Sequence, residues 1–184
     1  MEKQTVVEEI LAHNKRFVAH GEGLVYQADT KPRKHLAVVT CMDTRLTVML
    51  AAALGLENGD ANVIKVAGAE VKNPYGTAMR SLLVGVYVLG VRDIMVIGHT
   101  ECGTQHMSCS GLSSLMRKDG VPDEAFEAAT VKGVDLEEWL EGFENLEASV
   151  QSSVDLIQNH PLMPASVGVH GFIIDTQTGE LTAV

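Results

Sequence analysis

Ile94-Met95-Val96-Ile97-Gly98-His99-Thr100-Glu101-Cys102-Gly103 is the stretch that sets the organisation of this chain. Four consecutive apolar residues predict a buried strand, with Gly98 breaking the run. His99 and Cys102 then follow, three positions apart, in a short turn closed by Gly103. Such a turn sets an imidazole and a thiol together at the carboxyl end of a strand. In an open α/β sheet that end is where ligands bind. Two such side chains do not complete a metal site, so a third must come from elsewhere.

Cys41 supplies it. His35-Leu36-Ala37-Val38-Val39-Thr40-Cys41 is a second continuous apolar run, as expected of a parallel strand covered on both faces. Cys41 stands at its carboxyl end, followed by Met42-Asp43-Thr44-Arg45. If the two strands are neighbours, two thiolates and one imidazole converge on one point. Three protein ligands with a fourth position left for water or substrate is the pattern of catalytic zinc. Cys109, in Met107-Ser108-Cys109-Ser110, reads as a half-buried thiol without a role. For Asp43 and Arg45 the spacing leaves two readings open: groups that orient the metal site, or a helix-start acid and a surface arginine.

The rest of the chain supplies the frame. Thr5 to about His20 has the apolar spacing of an amphipathic helix, with Thr5-x-x-Glu8 as a capping box. Gly21 to Lys34 reads as loop, Leu46 to Leu54 as helix, and Asn62 to Gly68 as strand. Asn73-Pro74 predicts a helix start, and Thr77 to Leu89 carries Met79, Leu82, Leu83, Val86 and Tyr87 on one stripe. Thr104 to Lys132 predicts one or two short helices broken by Gly120-Val121-Pro122. Asp135 to about Asn159 predicts one long acidic helix ended by His160-Pro161. Ala165 to Ile174 is a further strand, Asp175 to Gly179 a hairpin turn, and Glu180 to Val184 a short edge strand. Strand, helix, strand, helix, strand implies right-handed crossovers. The fold class is therefore α/β: a mainly parallel sheet flanked by helices, with an antiparallel edge strand at the C-terminus.

Composition narrows the function classes. The 184 residues carry 24 acids against 14 bases, a net charge of −10, and show no basic cluster, which argues against nucleic acid as a partner. No apolar run of 18 residues and no signal-peptide core is present, so a soluble cytoplasmic protein without a membrane partner is expected. Three cysteines in such a chain favour metal binding or catalysis over disulfides.

Cys41-Met42-Asp43-Thr44-Arg45 matches Cys-x-Asp-x-Arg, and His99-x-x-Cys102-Gly103 matches His-x-x-Cys-Gly. In this order, separated by a βα unit with Ala67-Gly68, the motifs resemble the β-class carbonic anhydrases, above all the short prokaryotic type. The likeness is strongest over about residues 36 to 106. Gly168-x-His170-Gly171 and Asp175-x-x-Thr178-Gly179-Glu180-Leu181 are similar to the family's C-terminal part. The resemblance implies one zinc ion held by Cys41, His99 and Cys102, and a catalytic Asp43–Arg45 dyad. It implies a single domain over 1–184: N-terminal helix and loop (1–34), zinc-site core (35–103), helical segment (104–160) and C-terminal strands (165–184). The chain departs from the family at Lys65-Val66-Ala67-Gly68, where an Asn often stands in place of Val66.

The activity so implied is reversible hydration of CO₂ to bicarbonate and a proton by zinc-bound hydroxide, with Asp43 orienting the hydroxide and Arg45 holding Asp43 ionised. Two rivals are hydrolysis of CS₂ or COS on the same scaffold, and a non-catalytic zinc-binding or thiol-sensing protein using Cys41 and Cys102. His106 reads as either a proton shuttle or an exposed helix-start histidine. His13, His20, His35 and His160 read as surface or packing residues, His170 as a core histidine in a strand, and Glu101 as solvent-facing. The terminal amphipathic helix and the apolar Leu82–Val88 region predict a homodimer or higher homo-oligomer.

Overall fold

The computed structural model describes residues 5–184; Met1–Gln4, a polar stretch in the sequence, lie outside them. Thr5 caps α1 (Val6–Ala19) through the predicted box. Its hydroxyl accepts from the Glu8 N–H at 3.3 Å, and its own N–H donates to the Glu8 carboxylate at 2.8 Å. A 3₁₀ turn, Glu22–Tyr26, occupies part of the segment expected to be loop. The chain then alternates: β1 (Leu36–Cys41), α2 (Leu46–Ala53), β2 (Ala61–Val66), α3 (Thr77–Tyr87) and β3 (Asp93–His99).

The sheet order is β2-β1-β3-β4-β5, where β4 is Gly168–Ile174 and β5 is Leu181–Ala183. The first four strands are parallel, and β5 returns antiparallel along β4. The side-chain period of two divides the core. Ala37, Val39, Ile94 and Val96 face α3 and α7 (Leu146–Gln158), whereas Val38 and Ile97 face α2. The sheet is thus covered on both sides, which is why β1 and β3 read as unbroken apolar runs.

Two expectations need correction. The Asn73-Pro74 pair does not start α3. The Asn73 side chain accepts from the Tyr75 N–H at 2.8 Å and its carbonyl from Gly76 at 3.0 Å, making a turn, and α3 begins at Thr77 after Gly76. The long helix over 135–159 is two helices, α6 (Leu136–Leu140) and α7, after α4 (Cys109–Lys118) and α5 (Asp123–Val131). The break falls at Gly142, whose N–H donates to the Met107 carbonyl at 2.8 Å; a Cβ there would stand 2.0 Å from the Thr104 carbonyl oxygen. The side chain of Asn145 then caps α7 through the Ala148 N–H. Gly98 breaks the apolar run without ending the strand, and β3 runs to His99. A Cβ at Gly98 would come within 2.7 Å of Val150 and 2.9 Å of Leu146, so this glycine lets α7 lie directly on the strand.

Among the described residues, no helix is long and apolar enough to cross a membrane.

Candidate metal centre and active site

Strand order decides where the chemistry sits. From β1 the chain crosses to β2 on one side, while β3 lies on the other. The carboxyl ends of β1 and β3 therefore flank the point where the winding reverses, the place where a doubly wound sheet opens a crevice. Cys41 is the last residue of β1 and His99 the last of β3. The turn Thr100–Gly103 is pinned to β4 by the Thr100 N–H, which donates to the Ile174 carbonyl at 3.1 Å. Glu101 takes φ of 55° there, which folds Cys102 back over the strand end.

The three expected ligands are thereby brought together. The Sγ atoms of Cys41 and Cys102 and a ring nitrogen of His99 all lie within 4.8 Å of one another, and all three residues are buried. The two sulfurs are 3.8 Å apart and unbonded. Two thiolates held about 2.3 Å from one tetrahedral zinc would stand about 3.8 Å apart, so the spacing fits the ion. His99 Nδ1 donates to the Thr100 carbonyl at 2.9 Å, which leaves the lone pair on Nε2. That Nε2 is fully buried and has no hydrogen-bond partner in the protein. A buried acceptor without a partner is costly unless something else takes its lone pair. Cys109 is not part of the cluster: it starts α4, half-buried, with Ser113 Oγ at 3.8 Å.

Asp43 and Arg45 sit at the rim of this cluster. The guanidinium grips the carboxylate in a fork, Nε to Oδ1 at 3.0 Å and Nη2 to Oδ2 at 2.9 Å, while the Arg45 N–H adds a third bond to Oδ1 at 2.8 Å. These bonds hold the Asp43 carboxyl down at a pKa of about 2, against its ordinary 3.8. The same carboxylate raises the pKa of Arg45. Asp43 Oδ2 stands 3.9 Å from the lone-pair nitrogen of His99, facing the cluster while bound to Arg45.

A family model described as carbonic anhydrase matches residues 36–181. The chain belongs to the β-carbonic anhydrase family.

Relatives match over most or all of the chain. The Bacillus subtilis protein YvdA is 44% identical over all 184 residues, covering 93% of that protein. Beta-carbonic anhydrase 1 of Mycobacterium tuberculosis is 30% identical, covering 98% of both chains. The crystal structure of β-carbonic anhydrase isoform I from Trichomonas vaginalis superposes with a TM-score of 0.89 at 34% identity, over 98% of this chain and 97% of that one. A carbon disulfide hydrolase of Acidithiobacillus thiooxidans is 28% identical over 80% of this chain and 76% of its own length.

Several residues around this β-carbonic anhydrase site were not singled out from sequence. Arg45 is held not only by Asp43 but by the Glu101 carbonyl at 2.9 Å, the Glu101 carboxylate at 3.3 Å and Thr176 Oγ1 at 3.4 Å. Glu101 is thus exposed, as expected, yet tied to the dyad. Thr176 lies in the β4–β5 turn and reaches the site because its N–H and hydroxyl both meet Thr100 Oγ1. Thr104 Oγ1 lies 3.1 Å from Cys102 Sγ. No motif marks Thr176 or Thr104; the Asp175 turn signature was the one available pointer to the former. Val66 ends β2 with its carbonyl accepting from Met42 at 2.9 Å, a backbone contact that any residue can make.

The histidines outside the cluster divide. His106 is exposed in the turn before α4, with Nδ1 2.7 Å from the Glu144 carboxylate. His160 is buried and satisfied, Nε2 donating to the Pro74 carbonyl at 3.0 Å and Nδ1 accepting from Leu162. His170 is not a core residue. It is exposed on β4, 3.4 Å from Asp93, because β4 is covered only in part and the alternate position points outward.

Proposed function

We propose that Cys41, His99 and Cys102 hold zinc in this β-carbonic anhydrase, and that Asp43 and Arg45 serve the reversible hydration of CO₂ to bicarbonate and a proton. The observation that carries this reading is a carboxylate locked by an arginine fork 3.9 Å from a buried, unpartnered imidazole nitrogen. Zinc, when bound, acts as a Lewis acid that makes water nucleophilic near neutral pH. Asp43 is ionised throughout that range, so it accepts a hydrogen bond from the attacking oxygen and turns a lone pair toward the substrate carbon. Arg45 cannot lose its proton there, and its remaining donors on Glu101 and Thr176 keep the fork from swinging. His99 is oriented by its bond to the Thr100 carbonyl, which fixes the tautomer that offers Nε2. A thiol-sensing role for Cys41 and Cys102 leaves the orphaned Nε2 and the locked dyad without a purpose.

The reading is tested by measuring CO₂ hydration beside H₂S release from CS₂, with and without a zinc chelator. Chelator-sensitive CO₂ hydration is expected. H₂S release with no CO₂ hydration would assign the site to CS₂ instead.

The assembly we infer is a homodimer or a multiple of one. No residue of α1 is buried, and Val6, Val7, Ile10, Leu11 and Val18 are each more than half exposed. Beside α2 and the open edge of β2 lies an apolar groove of about 600 Å³ that includes Tyr26, Val48 and Val63. A second copy of the chain covers both surfaces at once. Light scattering should give at least twice the 19.8 kDa chain mass at micromolar concentration; a monomer would refute the assembly. A cytoplasmic location is consistent with three unpaired thiols.

A further inference from the structure

We propose that Thr104 is a positioning residue for the metal centre, its hydroxyl donating a hydrogen bond to the Cys102 thiolate. The proposal rests on the reading of Cys41, His99 and Cys102 as zinc ligands. At 3.1 Å, Thr104 Oγ1 is closer to Cys102 Sγ than the second sulfur is. A ligating sulfur is deprotonated and carries no hydrogen. In this contact only the hydroxyl can then donate.

The surroundings fix Thr104 in place. Its carbonyl accepts from the Met107 N–H at 3.2 Å and from the Phe143 N–H at 3.4 Å. Gly142 packs on that same carbonyl, with no room for a side chain. On the other side lies Gly68, with φ of 67°; a Cβ there would stand 2.8 Å from Thr104 Oγ1. Two glycines from different segments therefore close around one threonine, whose β-branched side chain has few rotamers to choose from. The break between α6 and α7 acquires a purpose in this arrangement: it brings Gly142 and Phe143 onto the residue that touches the ligand.

The contact is one-sided. Among the described residues, neither a hydroxyl nor an N–H donates to the Cys41 sulfur, whereas Cys102 has Thr104. Two thiolates and an imidazole return much of the ion's charge and so weaken its pull on water. A donor aimed at one thiolate draws electron density away from it and restores part of that pull. It also gives the buried anion a second partner beside the ion. Removing such an outer partner typically costs about 10–100-fold in metal affinity or activity.

The test uses Thr104→Val, which keeps the shape and removes the hydroxyl, and Thr104→Ser, which restores a hydroxyl. Thr104→Ala, which only removes atoms, carries the same expectation as the valine variant if valine disturbs folding. Cobalt-substituted protein gives a sulfur-to-metal charge-transfer band, and competition with a chromogenic chelator gives zinc affinity. The valine or alanine variant should bind one metal per chain, with the band moved to lower energy and zinc held about tenfold more weakly at neutral pH; serine should return both toward wild type. An unmoved band with affinity within twofold of wild type would overturn the role of Thr104 and leave the metal site standing. Absence of zinc and cobalt binding in the wild-type protein would overturn the ligand reading itself.

Discussion

The site has an inner cluster and an outer ring, and the two are built differently. Cys41, His99 and Cys102 are buried, and two of them are the last residues of neighbouring parallel strands. Their positions follow from sheet register, so moving them means moving the core. Asp43, Arg45, Glu101 and Thr176 are held by side-chain hydrogen bonds at the rim, and the Arg45 side chain is 41% exposed. In the proposed reading, the core fixes where a metal goes and the rim fixes how a reacting group is aimed. Holding the ion and turning over substrate should therefore separate under mutation.

The largest effect is expected inside. Cys102→Ser removes one of two thiolates and, with it, stable zinc and all measurable CO₂ hydration; elemental analysis checks this, and a variant retaining one zinc per chain would break the distinction. Next comes Arg45→Ala, which should keep zinc and lose about 10²–10³ in turnover, because an unanchored Asp43 is free to rotate toward the metal. The Asp43→Ala, Arg45→Ala double variant should lose no more than either single variant, since both act through one fork. A loss equal to the product of the single losses would divide the dyad into independent parts.

A smaller effect concerns acid. Asp43 has a folded pKa of about 2 against an ordinary 3.8, so its ionised form is favoured by folding. That contribution is full above the ordinary value and disappears as pH falls toward the lowered one. Wild type should therefore exceed Asp43→Asn in denaturant midpoint at pH 5, with the gap closing between about 4 and 2. For the same reason, no ionisation of Asp43 should shape the activity profile near neutrality. The smallest effect is at the outermost contact. Thr176→Val removes the long bond to Arg45, worth about 0.5 kcal/mol, together with the hydroxyl contact to Thr100, and should slow turnover about twofold with zinc unchanged.

The inner cluster was legible because strand ends and ligand types are local features. Two apolar runs, each ending in a cysteine or histidine, placed the ligands once the strands were assumed to be neighbours, and the family motifs named the dyad. The rim was less legible because its contacts come from distant segments through unremarkable residues. Thr176 reaches Arg45 across 131 positions, and the Glu101 carbonyl turns toward it only because Glu101 adopts a positive φ. The helical segment failed for a related reason. The acidic, amphipathic pattern over 135–159 satisfies helix propensity throughout, but Gly142 is claimed by the Thr104 and Met107 backbones. Asn73-Pro74 carried a valid start signal that a local turn used instead.

The separation of holding from turning over is tested most directly by Asp43→Ala, with zinc content and CO₂ hydration measured on one preparation. We expect one zinc per chain and a turnover reduced about 10²–10³-fold. Full-speed hydration, or loss of the zinc along with the activity, would contradict the account.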